Sequence, residues 1–258
     1  MIFDTHAHYD DKRFNADRAD LLKNLPALGV CGVINAGATL KSSKQGIKLA
    51  EDYNYIYAAV GIHPHYAEDE LEKAGSIDKV RDEIINLANH KKIVAIGECG
   101  LDYYRNLSPK SIQADVFKMQ LNIAAELDLP VIIHDRDAHK DMLDILKSYN
   151  LRGVMHCYSG SVEMMNELLK MNFHIGIGGV VTFKNSQTIK EVARQISIER
   201  LLLETDAPYL APEPHRGARC DSSMIKHIAE EIATLREIET EEVLQKTCEN
   251  AKKLFKIA

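Results

Sequence analysis

Short apolar runs rich in β-branched residues alternate along the chain with longer segments that carry an apolar residue every three or four positions. The first pattern predicts strands and the second predicts amphipathic helices. The eight predicted strands are MIFDTHAH, GVCGVINAGA, YIYAAVGIHP, KIVAIGECG, PVIIHDR, RGVMHCYSG, FHIGIGG and RLLLETDAP. Helical periodicity is clear between them, for example in DRADLLKNLPALG, SIQADVFKMQLNIAAELD and SVEMMNELLKMN.

Most of these strands are apolar on both faces, as expected for parallel strands covered by helices. Strand–helix units of about thirty residues, repeated eight times, account for the 258 residues. No linker rich in Gly, Pro or Ser divides the chain. The pattern therefore predicts an α/β fold, a (β/α)8 TIM barrel, as a single domain over residues 1–258. An open, doubly wound sheet is the alternative, because strand number alone does not prove closure.

Composition and net charge limit the kinds of partner that this chain can bind. The chain is 45% hydrophobic and 27% charged, which is typical of a soluble globular protein. It has no apolar run of about 18 residues and no signal-peptide pattern at MIFDTHAH. We therefore expect a cytoplasmic protein with no membrane partner, and nothing indicates an obligate protein partner. The net charge of −6 argues against a broad basic surface for nucleic acid, but a local cleft that holds cations can still attract phosphate.

Potential metal ligands cluster at the ends of the predicted strands. His6 and His8 are two residues apart in the first strand, so their imidazoles should share one face, with Asp4 just below. The other candidates at or just past strand ends are His63, His65, Glu98, His134, His156 and Asp206. In a parallel barrel these ends meet at one rim, where active sites form. Residues up to two hundred positions apart should therefore converge.

Each candidate has an ordinary alternative. A histidine at a strand end is often a hydrogen-bonded structural residue, and Glu98 or Asp206 can cap the following helix. Six of the eleven histidines lie on the same predicted rim, however, and scattered structural histidines have no reason to do so. The pattern favours a metal site.

Four imidazoles and two carboxylates exceed what one ion needs, so two divalent metal ions are predicted. Glu98 is the natural bridge. His6, His8 and Asp206 would complete one site, and His134 and His156 the other. Nitrogen and oxygen ligands without thiolate suit zinc, magnesium, manganese or cobalt and do not choose among them.

The five cysteines are odd in number and form no CxxC pair, so neither a disulfide framework nor a zinc knuckle is indicated. Cys99 and Cys157 each directly follow a candidate ligand. In an extended strand they should face away from it, toward the helices.

Seven segments, FDTHAH, GIHPH, IGECGLDYYR, LPVIIHDRDA, HCYSGS, GIGGVVTFKN and LLLETDAPYLAP, together resemble the TatD-type metal-dependent hydrolases, a deoxyribonuclease branch of the amidohydrolase-like barrels. They follow the family's order from Ile2 to Pro212. The resemblance implies a (β/α)8 barrel that hydrolyses DNA phosphoesters, often from the 3′ end, with His63 and the segment around Arg216 near the substrate. It implies divalent metals held by His6, His8, Glu98, His134, His156 and Asp206.

One departure from the family lies in HRGARCDSSM, after the eighth strand. Arg216 and Gly217 are kept, but Cys220, Asp221 and Ser222 stand where the family usually has Asn, Glu and Pro. Asp221 or Ser222 can still cap the next helix. Any substrate contact made by the missing Asn is left open.

The leading hypothesis is a divalent-metal-dependent deoxyribonuclease, a 3′ exonuclease acting on single-stranded or frayed 3′ ends. Asp206 would accept the proton of a metal-activated water, and Glu98 would bridge the ions. His63 would donate to the phosphate or the leaving group. The predicted substrate contacts are His65, Arg105 and Arg216, although both arginines also fit solvated loop charges. Tyr103 and Tyr104 can stack on a base or pack on a helix.

Two alternatives stay open at this stage. The first is another metal-dependent hydrolase of the amidohydrolase kind, acting on esters or amides, including removal of the aminoacyl group from transfer RNA. Many of those enzymes bridge their metals with a carbamylated lysine at the end of strand four, where this chain has Glu98. The second, from another class, is a metal-stabilised binding protein without catalysis, which would need no open coordination position.

Overall fold

The computed structural model describes residues 1–257. Within them, eight parallel strands form one sheet whose spatial order follows the chain. The strands are β1 (Ile2–Ala7), β2 (Val30–Ala36), β3 (Ile56–Val60), β4 (Ile93–Asp102), β5 (Val131–Arg136), β6 (Gly153–Met155), β7 (Phe173–Ile177) and β8 (Leu201–Leu203). This order is that of a barrel rather than of a doubly wound sheet, in which the strand order reverses at a switch point.

The sheet closes between its first strand and the segment that follows its last. Ala7 pairs in parallel with Ala207. The backbone N–H of Asp206 donates to the carbonyl of His6 at 2.9 Å, and that of His8 donates to the carbonyl of Ala207 at 2.7 Å. The predicted (β/α)8 barrel is confirmed, and the open-sheet alternative is wrong.

Helices connect the strands and cover the outside of the barrel. They are α1 (Arg18–Asn24), α2 (Leu40–Asp52), α3 (Ala67–Ala74), α4 (Ile77–Ala88), α5 (Lys110–Leu127), α6 (His139–Leu146), α7 (Val162–Lys170), α8 (Gln187–Gln195), α9 (Ile225–Arg236) and α10 (Thr240–Phe255). Polar caps decide where several begin. Thr39, Ser76 and Ser161 each accept the backbone N–H three residues on, which satisfies a donor at the helix start.

The helix predicted over 17–29 is shorter than expected. The α-helix α1 ends at Asn24, and a 3-10 turn follows over Leu25–Leu28. Pro26 lies in that turn, where its missing N–H would have broken an α-helical hydrogen bond.

Apolar side chains fill the barrel at the N-terminal end of its strands. We call this cluster the floor; it comprises Phe3, Ile34, Ala59, Val94, Ala95, Ile132, Val154 and Leu202 with Cys248, Ala251, Leu254 and Phe255 of α10. The Phe3 ring occupies the space that a Cβ on Gly32 would need, at 2.2 Å, which explains a glycine inside β2. The polar residues that end the strands lie at the opposite, C-terminal end of the barrel, which we call the mouth.

Two strands are shorter than the sequence pattern predicts. Strands β6 and β8 end at Met155 and Leu203, so His156 and Asp206 lie in the loops that follow. Within residues 1–257, no helix combines the length and apolar character needed to cross a lipid bilayer.

Candidate metal centre

The side chains of the predicted ligands meet at the mouth of the barrel. Their ligand atoms form three overlapping groups in which every atom lies within 4.8 Å of the others. The groups are His6, His156 and Asp206; His6, His8 and Glu98; and His63, Glu98 and His134. The structure thus brings together all six predicted ligands, along with His63.

Glu98 lies at the centre of this cluster, and its two oxygens face different imidazoles. Oε2 lies 3.4 Å from His6 Nε2 and 3.5 Å from His8 Nε2. Oε1 lies 2.9 Å from His156 Nε2 and 3.0 Å from His134 Nδ1. A carboxylate placed between two sets of donors has the geometry of a bridge between two ions.

Asp206 completes the first set. Its Oδ1 lies 3.4 Å from His8 Nε2 and 3.7 Å from His6 Nε2, and those two nitrogens are 3.1 Å apart. The Asp206 backbone has φ of 58°, a left-handed conformation that is uncommon outside glycine. It lies three residues after the end of β8, where the barrel closes, so its carboxylate reaches the first strand.

The backbone before Glu98 requires a glycine. Gly97 has φ of 152°, and a Cβ there would lie 2.7 Å from the carbonyl oxygen of Ile132. Only glycine accepts both the dihedral angle and the close approach of β5. Gly97 therefore positions the central carboxylate of the cluster.

Hydrogen bonds select which nitrogen of two imidazoles faces inward. His8 Nδ1–H donates to the carbonyl of Ala36 at 3.0 Å, which leaves the lone pair on Nε2. His134 Nε2–H donates to Asp102 Oδ2 at 3.1 Å, which leaves the lone pair on Nδ1. Outer hydrogen bonds of this kind hold metal-binding histidines in the correct tautomer.

His63 differs from both, because it turns its protonated nitrogen, not its lone pair, toward the centre. Its Nδ1 accepts the backbone N–H of His65 at 3.1 Å, so the proton lies on Nε2. That nitrogen is 3.4 Å from Glu98 Oε1. Burial dominates the lowering of the His63 pKa to about 4, so this imidazole is neutral and presents an N–H to the centre.

The donor set fits divalent cations. Two ligands of a tetrahedral ion with bonds of 2.0–2.1 Å are about 3.4 Å apart. The ligand atoms are 3.1–3.7 Å apart in the first set and 2.9–3.4 Å apart in the second. The inward atoms are imidazole nitrogens and carboxylate oxygens, with no thiolate among them. This chemistry suits zinc, manganese, cobalt or magnesium.

The charges of the cluster support one another. Burial alone would raise the pKa of Glu98, but the imidazoles of His63, His156 and His6 outweigh it and hold that pKa well below its usual range. Burial likewise opposes ionisation of Asp206, and the neighbouring imidazoles of His8 and His6 keep its pKa low. Both carboxylates are therefore ionised, as ligands must be.

Asp102 is a site residue that the sequence reasoning missed. It is fully buried at the end of β4, and Oδ2 accepts from His65 Nε2 at 2.7 Å as well as from His134. Burial raises the pKa of this carboxyl, but these hydrogen bonds outweigh the effect and hold it below its usual range. A signal was present: Asp102 lies four residues after Glu98, an even spacing that keeps both on one strand face.

Glu204 was also missed. It is fully buried, faces His156 Nδ1 at 3.4 Å through Oε1, and accepts the backbone N–H of Cys157. Its spacing of two residues from Asp206 in LLLETDAP was the available signal. Glu204 lies behind His156 as Asp102 lies behind His134, but within residues 1–257 only the Asp102–His134 pair is joined by a hydrogen bond.

Asp4 lies elsewhere than expected. It was predicted just below the two histidines of β1, but its carboxylate accepts from Thr205 Oγ1 and Ser222 Oγ, both at 2.6 Å. It therefore ties β1 to the loop after β8. Ser222 belongs to the segment that departs from the family pattern, and its neighbour Asp221 accepts the backbone N–H of Ser223 at 2.9 Å, which caps the 3-10 turn there.

The predicted substrate contacts lie at the mouth but outside the cluster. The His65 imidazole is held by Asp102. Arg105 is exposed in the loop after β4, and its backbone N–H donates to Asp102 Oδ1. Arg216 is exposed in the loop after β8, with its guanidinium 4.3 Å from the centre of the Phe183 ring.

The two cysteines beside the ligands differ. Cys99 is buried and faces the carbonyl of Ile132, as expected for a side chain that points away from the centre. Cys157 is only half-buried, with φ of 45°, so the strand alternation behind its prediction does not apply. Burial and the charges of Asp206 and Glu204 raise the pKa of the Cys157 thiol well above its usual value.

Known proteins share this fold and its length. A family model described as TatD related DNase matches residues 3–256. The uncharacterized metal-dependent hydrolase YabD of Bacillus subtilis is 43% identical over 260 residues, which cover all of both chains. The 3′-5′ ssDNA/RNA exonuclease TatD of Salmonella typhimurium is 36% identical over 264 residues, or 99% of each chain. The crystal structure of YjjV, a TatD homolog from Escherichia coli K12, has a TM-score of 0.91 at 28% identity and covers 100% of this chain and 98% of its own.

Proposed function

The chain belongs to the family of TatD-related DNases, and from this membership and the geometry of the centre we propose that it is a two-metal nuclease that shortens single-stranded DNA from the 3′ end. It is a metal-dependent hydrolase, as the names of its relatives state. The observation that carries the proposal is Glu98, whose two oxygens face two separate sets of imidazole nitrogens.

The centre would hold one ion among His6, His8, Glu98 and Asp206, and the other among Glu98, His134 and His156. Bound divalent ions lower the pKa of an attacking water and stabilise charge on phosphoryl oxygens. The inward lone pairs of His8 and His134 support this assignment, because neighbouring acceptors already hold the proton of each ring on the opposite nitrogen.

Asp206 is the proposed general base. Its side chain is the most exposed of the carboxylates in the cluster, at 19%, so it is the one that water and substrate reach. It is ionised, and its Oδ1 borders the first set of ligands. A carboxylate there can accept the proton of the attacking water as the bond to phosphorus forms.

His63 is the proposed donor rather than a ligand. Because its Nδ1 accepts a backbone N–H, Nε2 carries the proton and has no lone pair to offer a cation. An N–H directed at the centre can donate to a phosphoryl oxygen or to the departing 3′ oxygen. Arg105 and Arg216 are proposed to hold neighbouring phosphates, since both are exposed on loops of the mouth.

The related exonuclease of Salmonella typhimurium is named for action on single-stranded DNA and RNA, which supports the choice of substrate. Esters of transfer RNA and small amides are the competing substrates within the same chemistry. The donor set is compatible with them as well.

The test is cleavage of a 5′-labelled single-stranded DNA oligonucleotide by metal-stripped protein resupplied with magnesium, manganese, zinc or cobalt. The Asp206→Asn variant removes the proposed base, and His174→Gln is the matched control because it alters a buried histidine away from the mouth. We expect a ladder that shortens from the 3′ end with wild type and control but not with Asp206→Asn. A folded, metal-loaded wild type that leaves DNA intact with every metal would refute the nuclease, and transfer-RNA esters and small amides would be tested next.

A further inference from the structure

Exposed apolar side chains are concentrated at the mouth. Of the seven large ones exposed within residues 1–257, five lie on loops that follow β3, β4 and β8. They are Tyr66, Tyr104, Leu107, Tyr209 and Leu210. Exposed apolar surface gathered at one place is typical of a binding site, whereas single exposed residues are ordinary.

Two of these tyrosines each stack on an arginine from a neighbouring segment of the mouth. The guanidinium of Arg13 lies 3.9 Å from the centre of the Tyr209 ring, and that of Arg136 lies 3.9 Å from the centre of the Tyr104 ring. Tyr209 is still 46% exposed and Tyr104 is 60% exposed. Each arginine therefore covers one face of its ring and leaves the remaining ring surface to solvent.

The two stacks are on opposite sides of the barrel. Tyr209 lies in the loop after β8 and Arg13 in the loop after β1, whereas Tyr104 lies in the loop after β4 and Arg136 at the end of β5. In a closed eight-stranded barrel, the β8–β1 junction is diametrically across from the β4–β5 junction. The metal ligands lie between them, and the Tyr209 ring is 6.4 Å from that of His8.

The stacks have the chemistry of a single-strand binding surface. An exposed aromatic face accepts any nucleobase, and an arginine behind it adds positive charge near the phosphates. The two differ in charge, since Arg13 also pairs with Asp11 at 3.1 Å, whereas Arg136 has no carboxylate partner in the described part of the chain. The two arginines thus place positive charge at the mouth, although the chain as a whole has a net charge of −6.

We propose that Tyr104 and Tyr209 are stacking platforms for the two bases that flank the scissile phosphate. The proposal rests on the nuclease function above and specifies how the substrate is recognised. A DNA strand that crosses the mouth with its scissile phosphate at the centre has one base on each side of that phosphate. Each of these bases would lie next to one of the two tyrosines. Paired bases in a duplex are stacked on each other, so this arrangement selects single strands with little dependence on sequence.

The test crosses protein variants with substrate variants, so that a coupling between one ring and one base is measured. The substrates are an eight-residue DNA strand and two copies that lack either the 3′-terminal or the penultimate base. The proteins are wild type, Tyr104→Leu and Tyr209→Leu, with Tyr104→Phe and Tyr209→Phe as matched controls that keep the ring. The quantity measured is kcat/KM for release of the terminal nucleotide.

Each Leu variant should lose about tenfold in kcat/KM on the intact strand, which corresponds to ~1.4 kcal/mol. Each Leu variant should lose little kcat/KM on the strand that lacks the base on which the replaced tyrosine stacks. That base should differ between the two variants. The Phe variants should stay near wild type. Raised salt should weaken the Tyr104 coupling more than the Tyr209 coupling, because Arg136 is not paired with a carboxylate.

Three results would overturn the platforms. Equal losses on intact and abasic strands would show a general effect on the fold or on the metals. Wild type that cleaves abasic strands as fast as intact ones would show that the bases are not recognised, whatever the variants do. Coupling of both tyrosines to one base would contradict their opposed positions. A wild type that cleaves no oligonucleotide at all would instead refute the nuclease itself.

Discussion

The two ends of the barrel both bury histidine, with different results. At the mouth, His134 lies between two carboxylates, and its outer nitrogen is held by Asp102. Near the floor, His174 lies on β7 in register with Val154, and its Nδ1 has no hydrogen-bond partner within residues 1–257. Burial, and then the charges of Arg200 and Lys253, lower the pKa of His174 to about 4.

This difference shows that burial alone does not make a histidine functional. The same side chain on the same kind of strand becomes a candidate ligand where acids accept its outer proton and flank its inner lone pair. Where its neighbours are apolar or cationic, it is a neutral core residue that resists protonation. The mouth should therefore control activity and metal content, and the floor should control stability.

The largest expected effect on activity is at the mouth. There the tautomer of His63 makes this residue a hydrogen-bond donor and not a metal ligand. His63→Gln should lower kcat by about 10²- to 10³-fold, the range for loss of one hydrogen-bond donor to a developing negative charge, with bound metal unchanged. His134→Gln, the matched variant at an inward lone pair, should lose metal as well. Metal analysis of both purified proteins, alongside rates on labelled DNA, makes the comparison. Loss of metal from His63→Gln would make His63 a ligand and contradict the assignment from its tautomer.

The floor should respond in the opposite way. Phe3→Ala removes a buried ring that fills the space above Gly32 and stacks near Tyr57, so the free energy of unfolding should fall by about 3–5 kcal/mol. Denaturant titration of metal-free protein measures this. At a temperature where the variant is folded, its kcat should match wild type. A large fall in kcat for the folded variant would mean that the two ends are coupled.

Asp102 tests whether an acid behind a histidine matters at the mouth. Asp102→Asn keeps the shape but accepts the proton of His134 less strongly, so metal affinity or kcat/KM should fall about 10- to 100-fold. The Asp135→Asn variant is the control, because Asp135 is a buried carboxylate of the next strand that pairs with His139 instead. Titration of metal-free protein with zinc distinguishes the two. Equal effects of both variants would show that Asp102 has no special role.

The smallest effect is at the floor and depends on pH. The folded-state pKa of His174 is about 4 and the unfolded value is near 6.5, so the unfolded chain takes up a proton first as pH falls. His174 should therefore cost about 2 kcal/mol of stability at pH 5 relative to pH 8. His174→Gln should remove that loss when unfolding is measured at both pH values in chelator.

His139 supplies the control of opposite sign. Its hydrogen bond to Asp135 raises its pKa, so it stabilises the folded chain at low pH and this contribution is lost as pH rises. His139→Gln should therefore lose stability mainly at low pH. If His174→Gln and wild type show the same pH dependence, the imidazole at the floor is not held neutral.

The sequence reasoning succeeded where side chains follow from strand position. The residues from His6 to Asp206 were placed on one rim because parallel strands end on the same side of a barrel. Asp102 and Glu204 were missed because each acts on a histidine of another strand, and a contact across strands leaves no mark in local periodicity. Asp4 was misplaced because Thr205 and Ser222, about two hundred positions away, attract its carboxylate.

By itself, the sequence determined the order of strands and helices and the set of candidate ligands, because apolar periodicity and strand ends are local properties of the chain. Closure of the barrel was decided by the tertiary structure. The tertiary structure alone decided which nitrogen of each imidazole faces inward, how the oxygens of Glu98 divide between two sets, and which arginine stacks on which tyrosine. These depend on partners brought within about 4 Å by closure of the barrel, and a hydrogen bond or a ligand bond is lost over a fraction of an ångström.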